Sequence, residues 1–223
     1  MKKGLSELIF ILDMSGSMSN LTEDTIGGFN SMIEKQKEVE GDANITLVLF
    51  DNEYLHLYDN YNIKEVPVLT DKEYCPRGLT ALYDAVGRTI DTVGHRLNNT
   101  PEEERPEKVI VSITTDGMEN ASKEYTFQQV KEKIEHQQEK YNWEFIFLGA
   151  DLASVNVATD LGISPDFAAT WTASAAGMAS HAEGMNTVLA TMRSSDYTRD
   201  VNNEIYKAVT DTLNSIAVSN TTK

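Results

Sequence analysis

Among 223 residues there is one cysteine, Cys75, so no intramolecular disulfide can form and nothing points to an oxidising compartment. Positive charge is scarce: 19 Lys+Arg stand against 35 Asp+Glu, a net charge of -16. Nucleic-acid phosphates and anionic membrane surfaces would repel such a chain, whereas basic partners or divalent cations suit it. Long apolar runs are missing as well. Leu8 to Leu12, behind Lys2 and Lys3, stops at Asp13, too short for a signal-peptide core, and no later stretch approaches a membrane span. Repeats, low-complexity tracts and Pro/Gly-rich linkers are lacking too. There is no Walker-type loop, zincin motif or Gly-x-Ser-x-Gly elbow. His56, His95, His136 and His181 are dispersed and fit neither zinc nor triad spacing, and Cys75 has neither a second cysteine nor a histidine near it in sequence. With 40% hydrophobic and 24% charged residues the composition is that of an ordinary globular domain with a sizeable core. The expectation is a soluble cytoplasmic protein that binds neither nucleic acid nor membrane.

What the sequence has is an alternation of short apolar runs with longer amphipathic segments. Leu5 to Leu12 and Val109 to Ile113 are continuously apolar or nearly so, as strands buried on both faces of a parallel sheet require. Ile45 to Phe50 is a further strand, and Asp51-Asn52 reads as a tight turn that sends Tyr54 to Tyr58 back antiparallel. Glu144 to Leu148 and Phe167 to Trp171 complete the strands. Between them lie helical stripes: Ile26, Phe29 and Ile33; Leu82, Ala85, Val86, Ile90 and Val93; Phe127, Val130 and Ile134; Met185, Val188, Leu189 and Met192. Asn20 to Glu23 and Thr126 to Gln129 read as capping boxes. Asn98 to Glu107, with its run of glutamates, reads as a solvated loop. This alternation predicts an α/β domain over 1–195, with helices on both faces of a mostly parallel sheet. An amphipathic extension, 196–223, follows. Its stripe, Val201 to Ile216, fits a helix packed on the domain or one that meets a partner or a second copy.

In doubly wound sheets ligands sit at the carboxyl ends of strands, where strand order reverses. Two buried strands run into polar clusters there: Asp13-Met-Ser15-Gly-Ser17 and Thr114-Thr115-Asp116-Gly117. A third cluster, Arg77-Gly-Leu-Thr80, opens a helix. Two carboxylates and several hydroxyls without cysteine or histidine suit a hard, oxygen-seeking ion. Mg²⁺ takes six oxygens at about 2.0–2.1 Å and is seldom enclosed by protein ligands alone. Gly16 is expected to relax the backbone between the two serines. Asp and Ser are also common turn and capping residues, and Thr80 could equally be an N-cap. Thr114 and Thr115 could extend the site but need no reason beyond strand propensity, Asp151 reads as a helix cap in preference to a supporting group of the site, and Glu119 and Asn120 could shape a binding rim but read as solvated.

Asp13-x-Ser15-x-Ser17, then Gly-x-Thr80, then Thr-Asp116-Gly resemble the metal-ion-dependent adhesion site of von Willebrand factor A domains over roughly residues 5 to 195. Trp143 to Ala150 is similar to the fifth strand of the small stand-alone cytosolic members found in bacteria and phages. The resemblance implies a Rossmann-like three-layer sandwich with a six-stranded sheet and one antiparallel edge strand. It also implies that Asp13, Ser15, Ser17, Thr80 and Asp116 hold Mg²⁺, with Mn²⁺ or Ca²⁺ as alternatives. The implied partner is a protein whose exposed Glu or Asp completes the metal's shell.

Two other readings use the same residues. Some cytosolic relatives act as regulatory or assembly subunits with an AAA+ ATPase. A buried strand ending in Asp also occurs in haloacid-dehalogenase-type phosphatases, with the Asp as nucleophile beside Mg²⁺. That chemistry needs an acid two residues on, where Ser15 stands, and a cationic clamp. A non-enzymatic binding domain is therefore expected.

Overall fold

A computed structural model describes residues 1–194, 196–198, 200 and 203–218. Six strands form one sheet: β1 (Lys2–Asp13), β2 (Asp42–Phe50), β3 (Tyr54–Asn62), β4 (Pro106–Thr115), β5 (Glu144–Gly149) and β6 (Ala168–Thr170). The order is β3-β2-β1-β4-β5-β6, parallel throughout except for β3, which pairs antiparallel with β2 at the edge. The chain thus winds outward in one direction from β1 and in the other from β4. Their carboxyl ends lie side by side, with Leu12 registered against Thr114.

Side chains alternate across a strand, and β1 shows where each neighbour goes. Phe10 meets Phe29 of α1 (Thr22–Lys37) edge-on, with ring centroids 5.5 Å apart. Glu7, of opposite parity, is buried on the other face. It accepts from Arg96 of α2 (Leu82–Asn99) at 2.9 Å and from Thr46 at 2.6 Å. Leu8, Ile9, Phe10 and Ile11 are therefore all shielded from water, as a strand covered on both faces must be. α1 packs on α5 (Ala175–Arg193), while α2 packs on α3 (Phe127–Tyr141). α4 (Leu152–Asp160) lies against β5 and β6. The result is a doubly wound α/β sandwich with helices on both sides.

Thr126 forms the expected capping box with Gln129 at the start of α3. Asn20 does not cap: the chain makes a 3₁₀ turn through Gly16–Leu21, α1 starts at Thr22, and its N-cap is Leu21 with no side-chain oxygen. The 98–107 segment is less of a loop than its composition suggests, because α2 runs to Asn99 and β4 starts at Pro106. Within the C-terminal stripe, α6 (Glu204–Val218) buries Tyr206, Val209, Leu213 and Ile216. It packs on α5 and β6, and Tyr206 meets Phe167 edge-on at 5.5 Å. Val201 lies outside the described residues.

Candidate functional site

Three loops meet at the carboxyl ends of β1 and β4. Asp13, the last residue of β1, is fully buried. Its Oδ1 accepts from the Ser15 backbone N–H at 2.7 Å and its Oδ2 from the Thr115 hydroxyl at 2.5 Å. The Ser15 and Ser17 hydroxyls are 3.0 Å apart, and Ser17 Oγ donates to Asp116 Oδ1 at 2.6 Å. With Ser17's proton committed to Asp116, Ser15 must be the donor to Ser17, so a directed chain of hydroxyls joins the first loop to the second. Thr80 is buried; its hydroxyl lies 3.4 Å, and Ser17's 3.8 Å, from where a Cβ on Gly117 would stand. The bare Gly117 thus keeps open a space bordered by the two hydroxyls. The five residues singled out from sequence are gathered at one end of the sheet.

The surrounding contacts hold these loops in register. Arg77 N–H donates to the Met14 carbonyl at 2.8 Å and Gly16 N–H to the Gly78 carbonyl at 3.2 Å, so the third loop runs beside the first. Gly16 is not in a left-handed conformation; what its missing side chain permits is this approach of the Gly78 carbonyl, 3.3 Å from where a Cβ would stand. Gly78 is the residue with positive φ, +67°, and a Cβ there would fall 2.0 Å from Asn52 Oδ1. Thr80 does not cap α2 with its side chain, since the N-cap is Ala81 and makes no side-chain bond. Asn120 pairs with Thr80 twice: its Oδ1 accepts from Thr80 N–H at 2.9 Å and its N–H donates to the Thr80 carbonyl at 3.0 Å. Glu119 accepts from Tyr83 N–H at 3.0 Å, from Ser122 Oγ at 2.7 Å, and from the Ala121 and Ser122 amides. Asn120 is exposed and Glu119 half-buried, and beyond solvation both fasten the Asp116 loop to the start of α2. Thr115 likewise does more than satisfy strand propensity, because it holds Asp13. Asp151 is the helix cap expected, accepting from Ser154 N–H at 2.7 Å.

Burial pushes the Asp13 carboxyl above its ordinary range; hydrogen bonds from Thr115 and Ser15 oppose this, and the nearby Asp116 carboxylate adds to it. Asp116 is raised as well, again chiefly by burial, against the bond from Ser17. Tyr74 is also buried and donates to the Asp13 carbonyl at 2.7 Å; desolvation keeps its phenol protonated. Among the described residues no Lys, Arg or His forms an ion pair with Asp13 or Asp116. Nor, among those residues, do three His, Cys, Asp or Glu side chains group to hold a metal. Any ion here would rest on two carboxylates and neutral hydroxyls, a set that fits Mg²⁺, Mn²⁺ or Ca²⁺ in its hardness. Two acids kept close and desolvated without a cation are costly, and a divalent ion would remove that cost. No described helix is long and apolar enough to cross a membrane.

No protein-family model matches the chain, and no curated protein does. Solved structures do match. Proximal thread matrix protein 1 from the mussel byssus, in a form with a zinc-occupied MIDAS motif, is 17% identical with a TM-score of 0.56, covering 83% of this chain and 46% of that one. The chain therefore spans under half the length of that protein. The vWF domain of the type V pilus tip protein Mfa5 from Porphyromonas gingivalis is 13% identical with a TM-score of 0.56, covering 81% and 95%. Manganese-loaded TRAP from Plasmodium vivax is 17% identical with a TM-score of 0.51, covering 77% and 70%. At these identities the likeness is one of architecture, and it agrees with the strand order and antiparallel edge described above: the chain has the von Willebrand factor type A fold.

Proposed function

We propose that Asp13, Ser15, Ser17, Thr80 and Asp116 hold a divalent cation, Mg²⁺ in the first place and Mn²⁺ or Ca²⁺ by the same oxygens, and that the domain uses it to bind a protein. The observation that carries this reading is the pair of carboxylates linked through Ser15, whose amide holds Asp13, and Ser17, whose hydroxyl holds Asp116, with no cationic side chain paired to either among the described residues. Bound there, the ion would supply an electrophilic centre that an exposed Glu or Asp of the partner completes, since five side chains leave one of the six oxygen positions of Mg²⁺ open. The residues of this chain do the rest: Thr115 and the Ser15 amide orient Asp13, and Asn120 fixes the Thr80 loop. The role is binding rather than catalysis. Ser15 stands where a phosphatase would need its acid, and its hydroxyl is spent on Ser17. Among the described residues no Lys or Arg pairs with the two carboxylates as the cationic clamp that phosphoryl transfer requires. The single cysteine supports a cytoplasmic setting.

Calorimetric titration with MnCl₂ and MgCl₂ tests the metal reading. Wild type is expected to take up one ion and Asp116→Asn to lose that uptake while keeping its circular dichroism. No uptake by wild type, or uptake unchanged in the variant, would overturn it.

A further inference from the structure

Arg77 lies 26 positions beyond Asp51 in the chain, yet the fold straps the turn after β2 to the loop that opens α2. The Asp51 carboxylate is the centre of that strap. Its side chain is only 1% exposed, and a charge taken out of water to that extent must be held by partners. Oδ1 accepts from the Glu53 backbone N–H at 2.5 Å and Oδ2 from Arg77 Nε at 3.1 Å. Arg77, itself 63% exposed, reaches on to the Glu53 carboxylate at 2.8 Å. The turn holds the loop by its backbone as well. The Asp51 carbonyl accepts from Ala81 N–H at 2.9 Å, and Asn52 Oδ1 accepts from Leu79 N–H at 3.3 Å. Asn52 can come so near because Gly78 has no side chain to meet it.

Thr80 is thus tied on both sides. Leu79 and Ala81 are bound to the β2–β3 turn, Arg77 N–H to the Met14 carbonyl, and Thr80's own N–H to Asn120. A buried, β-branched side chain is stiff at χ1, so a fixed backbone fixes where its hydroxyl stands. None of Asp51, Asn52 or Arg77 is among the five residues proposed to hold the ion, but all three act on the loop that carries one of them.

We propose that Asp51, Arg77 and Asn52 are positioning residues of the site, which fix the Thr80 hydroxyl and so favour a small ion over a large one. This rests on the metal-dependent reading. Mg²⁺ demands near-ideal octahedral geometry at about 2.0–2.1 Å, whereas Ca²⁺ accepts about 6–8 oxygens at about 2.3–2.6 Å in a flexible cage. Loosening the loop therefore costs Mg²⁺ more than Ca²⁺. Arg77→Ala cuts the strap at its centre; Asn52→Ala removes one exposed acceptor and leaves the Asp51–Arg77 pair in place. Hydrogen exchange in EDTA reads the loop without metal, and calorimetric titration with MgCl₂ and with CaCl₂ reads the ions. In both variants exchange at Leu79, Thr80 and Ala81 is expected to quicken while β1 and β4 stay protected. Mg²⁺ binding should weaken about tenfold in Arg77→Ala, the scale for loss of a group that orients a metal ligand. Ca²⁺ binding should fall less, and Asn52→Ala should move the ratio of the two affinities in the same direction. Unchanged exchange over 77–81, undiminished Mg²⁺ binding, or equal loss for both ions would each overturn the proposal, since equal loss is what general destabilisation produces. If Arg77→Ala also loses protection in β1 and β4, the ratio in Asn52→Ala decides. Failure of wild type to take up either ion, or Mn²⁺, would instead overturn the metal reading itself.

Discussion

Replacing Asp13 by Asn keeps the shape of a fully buried side chain and an oxygen for the Ser15 amide, removes the charge, and puts an NH2 where it can donate to Thr115 Oγ, whose own proton then turns to the Gly117 carbonyl at 3.1 Å. That charge is desolvated and lies near the Asp116 carboxylate, with two hydrogen bonds and no cation to offset it. In EDTA, Asp13→Asn should therefore melt at the same temperature as wild type or higher. Metal reverses the order. An ion at about a hundred times its dissociation constant adds about 2.7 kcal/mol to wild type. For a chain of this length that is a rise of about 5–10 °C. The variant has lost a charged ligand and should rise little, so the two melting temperatures cross between EDTA and metal. Thr115→Val separates charge from contact: it removes the hydroxyl donor and leaves the carboxylate. It should cost about 1.5–3 kcal/mol in EDTA, the range for a hydrogen bond to a charged group. Differential scanning calorimetry of the three proteins in EDTA and in Mg²⁺, Mn²⁺ or Ca²⁺ gives every number needed. The reasoning is refuted if Asp13→Asn is less stable than wild type in EDTA by more than about 1 kcal/mol, or if none of the ions moves the wild-type transition.

Three other outcomes follow from the core. His181 is buried, and desolvation lowers its pKa to about 4 from an ordinary 6.5. The unfolded chain takes up the proton first as pH falls, so this residue subtracts stability below pH about 6.5, about 2 kcal/mol by pH 5. In urea melts at pH 7 and pH 5, His181→Gln should lack that part of the loss, and an unchanged difference between the two pH values would contradict the assignment. Arg96→Met leaves Glu7 buried without its cation and should cost about 3–5 kcal/mol; the double change with Glu7→Leu should recover most of it, as chemical denaturation can check. Gly184→Ala would ordinarily gain about 1 kcal/mol in a helix. Here a Cβ would stand 2.4 Å from Ile216 Cγ1, so α6 should be forced off α5. Hydrogen exchange over 204–218 should then speed up while β1 and β4 stay protected, and unchanged exchange there would show that the helix is not held at this point.

Features that depend on neighbours in the chain were legible in sequence. β1 and β4 show as apolar runs because a strand covered on both faces tolerates few polar residues, and Thr126 shows as a cap because its partner, Gln129, is three positions away. Asn20 misled because the turn that carries Ser15 and Ser17 continues as 3₁₀ helix and delays α1 to Thr22. Asn120 and Thr115 carry no local mark of their work, and Glu119 shows only its bonds to Ala121 and Ser122, not the one to Tyr83. Asn120 binds a residue 40 positions away and Thr115 one 102 positions away, and an acid or amide beside a site reads as solvated until the opposite loop is in place. Tyr74, 61 residues from the Asp13 carbonyl it holds, is the same case.

By itself, then, the sequence determined the alternation of strands and helices, the two carboxylates and three hydroxyls, and their place at strand ends, because side-chain periodicity and turn chemistry are properties of short segments. Only the tertiary structure decided that β1 lies beside β4 and that Gly117 keeps a space open between the Ser17 and Thr80 hydroxyls. It also decided that Asp51 is buried and reaches Arg77. Those relations depend on strand order and on hydrogen bonds between distant loops, which come into being once the buried faces of the sheet have been covered.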